Sequence, residues 1–152
     1  MEIEKLIRKY LVQCHMMSLA TVNGDKPWVA TVYYVMDDDL NLYWASPADT
    51  NHSQQISDNQ NVAIAIPVVH KKSQPVVGIQ IEGVANKVDG KDKIETIARQ
   101  YAKQYGFGEK WVEKFSNDQT KHKLYKKKKK KFVLFDDISF PDNPRQELEY
   151  QS

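Results

Sequence analysis

Polar side chains suited to holding a phosphate are concentrated in one short segment, Ser46-Pro47-Ala48-Asp49-Thr50-Asn51-His52. The segment opens a predicted helix, whose first turn offers unpaired N–H groups and the positive end of the helix dipole to an anion. Ser46 and Thr50 add hydroxyls, Asn51 an amide, and His52 an imidazole that can carry positive charge. A second interpretation stays open, in which these residues only cap a surface helix, with Ser46 or Thr50 as the cap.

Strands with tight turns precede this segment. Residues 16–22 predict a first strand, and Asn23-Gly24-Asp25 predicts a hairpin turn because Asn and Gly accept positive φ. Residues 28–36 are rich in β-branched and aromatic side chains and predict the return strand. Residues 40–45 alternate apolar and polar side chains and predict a third strand. These three strands should form an antiparallel meander.

The rest of the chain adds helices and further strands. Two sets of apolar side chains recur at helical spacing and predict two amphipathic helices. The first helix contains Ile3, Leu6, Ile7, Tyr10 and Leu11, and the later helix contains Ile94, Ile97, Ala98, Tyr101 and Tyr105. Strands are predicted at 61–66, where Pro67 should stop the strand, at 76–88 with bends at Gly78 and Gly83, and at 132–135. The pattern predicts a mainly β (α+β) fold, a small antiparallel β-barrel with peripheral helices.

Composition limits the classes of protein. A chain of 152 residues predicts one domain, which we place at 1–140, followed by a polar and mobile tail at 141–152. There is no apolar run near the ~20 residues that a membrane helix needs. Cys14 is the single cysteine, which excludes an internal disulfide and fits a reducing cytoplasm. The four histidines lack zinc-ligand spacing, so no metal site is predicted.

A run of six lysines occupies residues 126–131. One interpretation is a cationic patch for a phosphate-rich partner such as RNA or for acidic lipids. The other is a solvated loop leading into the strand at Phe132, and we favour it because the net charge of the whole chain is only +2. No aromatic side chain interrupts the run as a base-stacking surface would require. The composition therefore disfavours a nucleic-acid or membrane partner.

The order of these elements resembles the FMN-binding split barrels related to pyridoxamine 5′-phosphate oxidase. In that family a strand ends in Thr or Ser, and a loop with Ser or Thr and then Arg-Lys holds the flavin phosphate. Ser46 matches the end of the strand and Thr50 matches the loop hydroxyl. Asn51 and His52 stand where the family often has its basic pair. The resemblance thus implies a small antiparallel split β-barrel and a phosphate site at these four residues.

The resemblance also implies where a flavin ring would lie. The family's ring follows the second strand, which here contains Ala30, Thr31, Val32 and Tyr33. A later family strand, Gln-Val-Arg-Ile-Glu-Gly, resembles Gly78-Ile79-Gln80-Ile81-Glu82-Gly83, with Gly78 at the Gln position and Gln80 at the Arg position. Backbone groups of the first strand and the Gln80 side chain are therefore further candidate cofactor contacts.

The resemblance implies a homodimer with FMN between the subunits and an oxidoreductase of unknown substrate. Apolar side chains on both faces of 16–22 and 28–36 independently favour a homodimer, because one small barrel cannot bury both faces. Pyridoxamine phosphate oxidation itself is disfavoured, since residues 142–147 lack the family's Arg-x-His motif. The alternative is a non-enzymatic carrier or sensor for flavin, haem or another phosphate-bearing ligand. No catalytic acid or base is identified.

Overall fold

The computed structural model describes residues 2–151, so Met1 and Ser152, the two ends of the predicted domain and tail, lie outside the described residues. The described chain forms four helices and eight strands. The helices are α1 (Glu2–Gln13), α2 (Asn51–Asp58), α3 (Lys91–Tyr105) and α4 (Glu109–Ser116). The strands are β1 (Met16–Asn23), β2 (Lys26–Tyr33), β3 (Val35–Met36), β4 (Leu42–Pro47), β5 (Asn61–Val69), β6 (Val77–Lys87), β7 (His122–Asp136) and β8 (Arg145–Glu149).

All strands belong to one antiparallel sheet in the order β2-β1-β5-β6-β7-β4-β3, and β8 pairs with β7. The two ends of this order, β2 and β3, are separated along the chain by Tyr34 alone. The sheet must therefore curl until its two edges meet, and β2 does contact β4. The mainly β fold, a split barrel with peripheral helices, is confirmed.

The hairpin of β1 and β2 is confirmed, with Asn23 opposite Lys26 and Gly24 at φ 61°. The predicted three-stranded meander is wrong, because residues 28–36 do not form one strand. Tyr34 interrupts them: its hydroxyl donates to the Leu11 carbonyl at 2.6 Å, and its ring is buried. This anchor to α1 turns the chain away from β2, so that β3 and β4 join the opposite edge of the sheet.

The structure corrects the predicted end of β5 and agrees with the predicted bend in β6. β5 does not stop at Pro67 but runs to Val69, with a register shift between these residues against β6. Proline is tolerated beside such an irregularity, because a bulge leaves a ladder position unpaired. The predicted bend at Gly83 is confirmed, since the register of β6 on β7 shifts between Glu82 and Val84.

The lysine run is not a loop, and that interpretation is wrong. Residues 126–131 lie inside β7, which pairs with β4 and β6 on its two sides. Lysine is disfavoured in strands, but pairing with β4 and β6 fixes most of the run, and the Lys129 N–H donates to Asn41 Oδ1 at 3.0 Å where the β6 register shifts. The run does not form one charged face, because Lys128 and Lys130 are exposed whereas Lys127 is fully buried.

Lys127 points into the barrel core. Its Nζ has no hydrogen-bond partner among the described residues and lies 4.6 Å from the centroid of the Phe132 ring. Gly83 makes room for it, because a Cβ at that position would lie 2.6 Å from Lys127 Cε. Burial disfavours the charged form and lowers the pKa of Lys127 to about 7.

The expected mobile tail is also wrong for its central part. Residues Arg145–Glu149 form β8, which pairs with β7 from Lys131↔Glu149 to Phe135↔Arg145. Alternation places Leu148 against the core, while Arg145 and Glu147 face outward. A single inward apolar side chain in a five-residue strand is too weak a pattern to detect in the sequence.

We predict that Lys127→Met stabilises the protein. The pKa of Lys127 falls from 10.5 to about 7 on folding, so the unfolded chain binds more protons than the folded chain between these pH values. The stability of the wild type must then decrease as pH falls through this window. The advantage of the variant should be roughly 3–5 kcal/mol at pH 7 and should shrink toward zero near pH 10.5.

Urea unfolding of both proteins at several pH values measures this difference. The exposed neighbour gives the matched control, since Lys128→Met should leave stability almost unchanged. A difference between wild type and Lys127→Met that is the same at pH 7 and pH 10 would show that Lys127 is charged in the fold.

Candidate ligand-binding site

Thr50, rather than Ser46, caps α2. Its backbone is extended (φ −68°, ψ 155°), and its Oγ1 accepts a hydrogen bond from the Ser53 N–H at 3.4 Å. Of the two caps that the sequence allows, Thr50 is therefore confirmed and Ser46 is wrong, and Pro47 is not a helical residue. Ser46 and Pro47 are the last residues of β4, and Ser46 pairs with Lys123 of β7. Because their backbone belongs to this strand pairing, they cannot begin the helix.

Ser46 and His52 form a buried pair behind the loop. His52 Nε2 lies 2.8 Å from Ser46 Oγ, and both side chains are buried. Burial lowers the pKa of His52, so the neutral imidazole is favoured at neutral pH. Burial therefore works against a positive charge on His52, and its ring fixes the end of β4 against α2.

The groups that remain for an anion are uncharged. Asn51 is exposed, Thr50 is half-buried, and the N–H groups of the first turn of α2 have no partner within the helix. Lys123, beside Ser46 on β7, is engaged with the carboxylate of Asp118. The segment can thus accept a phosphate through hydrogen bonds and the helix dipole, without a lysine or arginine of its own.

Eight of the nine candidate residues lie on adjoining elements. Ala30, Thr31, Val32 and Tyr33 belong to β2, an edge strand that contacts both α2 and β4. Because β2 pairs with β1 on one side only, backbone groups of its other side are open to a ligand, except that the Tyr33 carbonyl accepts from the Tyr101 hydroxyl at 3.5 Å. The structure therefore brings the predicted phosphate loop beside the predicted ring strand.

Gln80 does not join them within one chain. It is exposed on β6, and β1 and β5 separate β6 from β2. Three strand spacings amount to roughly 14 Å. Gln80 instead lines a groove of about 760 Å³ on the outer face of the sheet, together with Gly78. Two exposed apolar side chains, Val76 and Phe135, lie in the same groove, and three basic side chains, His70, Lys71 and Arg145, also line it.

Sequence reasoning did not identify Lys71, Phe135 or Arg145 as site residues. Lys71 lies between β5 and β6, Phe135 on β7 and Arg145 on β8, so these residues are far apart in the sequence and share no motif. Only the pairing of β6, β7 and β8 brings them together. The one feature of the sequence that indicated this region was the similarity of residues 78–83 to the family strand, and it did not indicate which other residues line the groove.

The adjoining part of the outer face carries small apolar side chains beside two charged ones, Glu82 and Lys131. A second groove of about 450 Å³ adjoins the first and shares Ala65 and Gln80 with it. Ala20, Ala63 and Val29 also line it, and Val29 is 63% exposed. Contiguous exposed apolar surface of this kind marks an interaction site in a soluble protein.

The sequence predicts neither a metal site nor a membrane-spanning helix. The described residues contain no group of three or more His, Cys, Asp or Glu side chains arranged to hold a metal ion. The carboxylate of Asp37 closes its own turn, where it accepts from the N–H groups of Asp39 and Asn41 and from the Tyr43 hydroxyl. No helix among residues 2–151 is long and apolar enough to cross a membrane.

We predict that the stability of the wild type relative to His52→Gln decreases as pH falls from about 7 to about 5, through the histidine range. The pKa of His52 is lowered on folding, so the unfolded chain takes up protons first and the fold loses stability in acid. Glutamine retains hydrogen-bonding capacity toward Ser46 but does not titrate. Urea unfolding at pH 5, 6 and 7 measures the difference, and a stability advantage of the wild type that grows in acid would show a charged His52.

Comparison with known proteins agrees with this geometry. The family model described as pyridoxamine 5′-phosphate oxidase matches residues 3–133. A UPF0306 protein of Photorhabdus laumondii is 30% identical over 92 residues, which cover 59% of this chain and 64% of that protein. The match therefore spans just under two-thirds of the length of this relative.

Two solved structures show the same fold. A putative pyridoxamine 5′-phosphate oxidase from Listeria innocua superposes with a TM-score of 0.69 at 21% identity, covering 87% of this chain and 97% of that one. HutZ, a haem storage protein of Vibrio cholerae, gives a TM-score of 0.68 at 16% identity, covering 84% and 89%. The family match extends from α1 into β7 and includes all nine site residues predicted from the sequence, and the chain belongs to the pyridoxamine 5′-phosphate oxidase family.

Proposed function

We propose that this protein is a homodimeric FMN-binding oxidoreductase, with each flavin held between α2 and β2 of one subunit and the β6 groove of the other. The observation that supports this best is the position of Gly78 and Gln80. These residues stand at the Gln and Arg positions of the family's ring-contacting strand, and they line a groove of about 760 Å³ that lies away from the phosphate loop of their own chain. Two half-sites of this kind complete each other only across a dimer.

The outer face supports the same assembly. Its small side chains, including Ala20, Ala63 and Ala65, let a second sheet approach closely, and exposed Val29 and Tyr33 supply apolar contact area. A symmetric dimer uses the same surface twice, so one patch that carries both a β2 edge and a β6 groove suits a twofold axis. A specific interface should bury more than roughly 1,000 Å² in total.

The residues present fit FMN and, besides Gly78 and Gln80 at the family's Gln and Arg positions, the main departure from the family lies in the phosphate loop. The first turn of α2, with Thr50 and Asn51, would receive the phosphate, while Ser46 and His52 hold that turn in place. The free edge of β2 from Ala30 to Tyr33 would bond the ring, and Gln80 of the other subunit would approach it. When bound, the flavin supplies the redox chemistry, and the protein orients it and excludes water. The departure is the lack of a permanent cation at Asn51 and His52.

That departure favours a second candidate, a non-enzymatic haem carrier. The phosphate loop offers no lysine or arginine, whereas the groove offers the imidazole of His70 and the charges of Lys71 and Arg145 beside apolar walls. An imidazole is a common iron ligand, and basic side chains pair with carboxylates. The fold shared with the haem storage protein of Vibrio cholerae is consistent with this candidate.

We expect a dimer in solution. Light scattering at high micromolar concentration should give twice the chain mass of 17.6 kDa. Ala65→Glu should shift the protein toward monomer, because it places a charge in the middle of the apolar outer face without entering the core. Lys128→Glu alters charge outside both grooves and serves as the control. A monomeric wild type, or an Ala65→Glu variant that remains fully dimeric, would contradict the proposed interface.

We expect the purified protein to bind FMN and to show flavin absorbance. In a fluorescence titration, Thr50→Ala should weaken FMN binding by roughly 1–3 kcal/mol, the range for losing a hydrogen bond to a charged group. Thr50→Ser keeps both the cap and the hydroxyl and should bind like wild type. Gln80→Ala tests the other half-site, and Lys128→Ala should have little effect.

Equal FMN affinity of wild type, Thr50→Ala and Gln80→Ala would remove both half-sites from the proposal. A Soret band in place of flavin absorbance, diminished by His70→Ala, would select the haem carrier instead.

A further inference from the structure

We infer that the β6 groove binds a small carboxylate with a flat apolar body, whose charged end meets Lys71 and Arg145. This inference rests on the proposed function in one respect, since the carboxylate would be the reaction partner of the flavin. Its binding, however, depends only on the groove itself and can be measured without flavin.

The walls of the groove indicate the body of the ligand. Val76 is 53% exposed and Phe135 is 38% exposed, and both face the space beside Gly78 and Ala65. A volume of about 760 Å³ falls in the range of small-molecule sites, roughly 300–1,000 Å³. A planar hydrocarbon body would cover these apolar side chains, which water otherwise contacts at a cost in free energy.

The basic side chains indicate the charge of the ligand. Lys71 reaches the groove from the β5–β6 connection and Arg145 from the start of β8, and no carboxylate of the described chain lines this groove. Arg145 Nη2 does lie 2.7 Å from Glu147 Oε1, but the same oxygen is 3.3 Å from Lys131 Nζ. Glu82 also lies beside Arg145 and Lys131 in the adjoining groove, 4.0 Å from Lys130 Nζ. Two carboxylates therefore stand against four cations when Lys71 is included, which leaves an excess of positive charge beside the groove.

The polar groups indicate an orientation. Gln74 and Gln80 also line the groove and supply amide donors that carry no charge. A guanidinium presents its N–H groups as a planar fork that matches a carboxylate, whereas a lysine acts as a point charge. An apolar acid should therefore lie with its ring against Val76 and Phe135 and its carboxylate toward Arg145 and Lys71.

The experiment compares two probes of nearly the same shape, 2-naphthoate and the neutral 2-naphthamide, by calorimetric or NMR titration of the full chain at low salt. We expect wild type to bind naphthoate about fivefold more tightly than naphthamide, the size of effect that an exposed ion pair gives. The double variant Lys71→Met/Arg145→Met should lose this preference while its affinity for naphthamide stays within about twofold of wild type, because methionine keeps the apolar stem.

A matched double variant controls for net charge. Lys26→Met/Lys128→Met removes the same two charges from exposed positions outside the groove and should keep the preference for naphthoate. Retained naphthamide binding also shows that the tested variant is folded. Equal affinity of wild type for the two probes, or an unchanged preference in Lys71→Met/Arg145→Met, would overturn the inference.

FMN titration of the same proteins separates this inference from the proposed function. Loss of the naphthoate preference with intact FMN binding would confirm the carboxylate site beside a flavin. A naphthoate preference that depends on Lys71 and Arg145 in a protein that does not bind FMN would reject the flavin proposal and leave the carboxylate site in place.

Discussion

The architecture depends on one constraint of chain connectivity. β2 and β3 stand at opposite ends of the sheet order, yet Tyr34 alone separates them in sequence. The sheet can satisfy both facts only by curling until its edges meet, and the hydrogen bond from Tyr34 to Leu11 fixes α1 at that junction. The same closure sets the free edge of β2 beside α2 and the end of β4. The proposed phosphate loop and ring strand are therefore neighbours because of how the barrel closes.

Burial governs the charge state of two key side chains. His52 and Lys127 both lie out of water, and in each case desolvation lowers the pKa and favours the neutral form. For His52 the consequence bears on the proposed phosphate loop, where many family members have a basic pair and this chain has an imidazole whose neutral form is favoured. For Lys127 the consequence is structural, because Gly83 must remain without a side chain to leave room for the lysine stem.

Local sequence patterns predicted correctly those helices and turns whose structure depends on residues close together in the sequence. The stripe of Ile7, Tyr10 and Leu11 predicts α1, and the positive φ of Gly24 fits the predicted hairpin turn. The failures share a different cause, since each depends on contacts distant in the sequence. The lysine run becomes a strand because β4 and β6 flank it, and the tail becomes β8 because β7 offers a free side.

The same distinction separates the two halves of the candidate site. The phosphate segment is continuous in sequence, so its residues could be listed before the fold was known, although which hydroxyl caps α2 could not. The groove is assembled from β5, β6, β7 and β8, and no sequence motif unites Lys71 with Arg145. If the subunits pair through the outer face, the uncharged phosphate loop of one subunit and the basic groove of the other belong to one composite site, in which the loop serves the flavin phosphate and the groove serves the carboxylate of a second ligand.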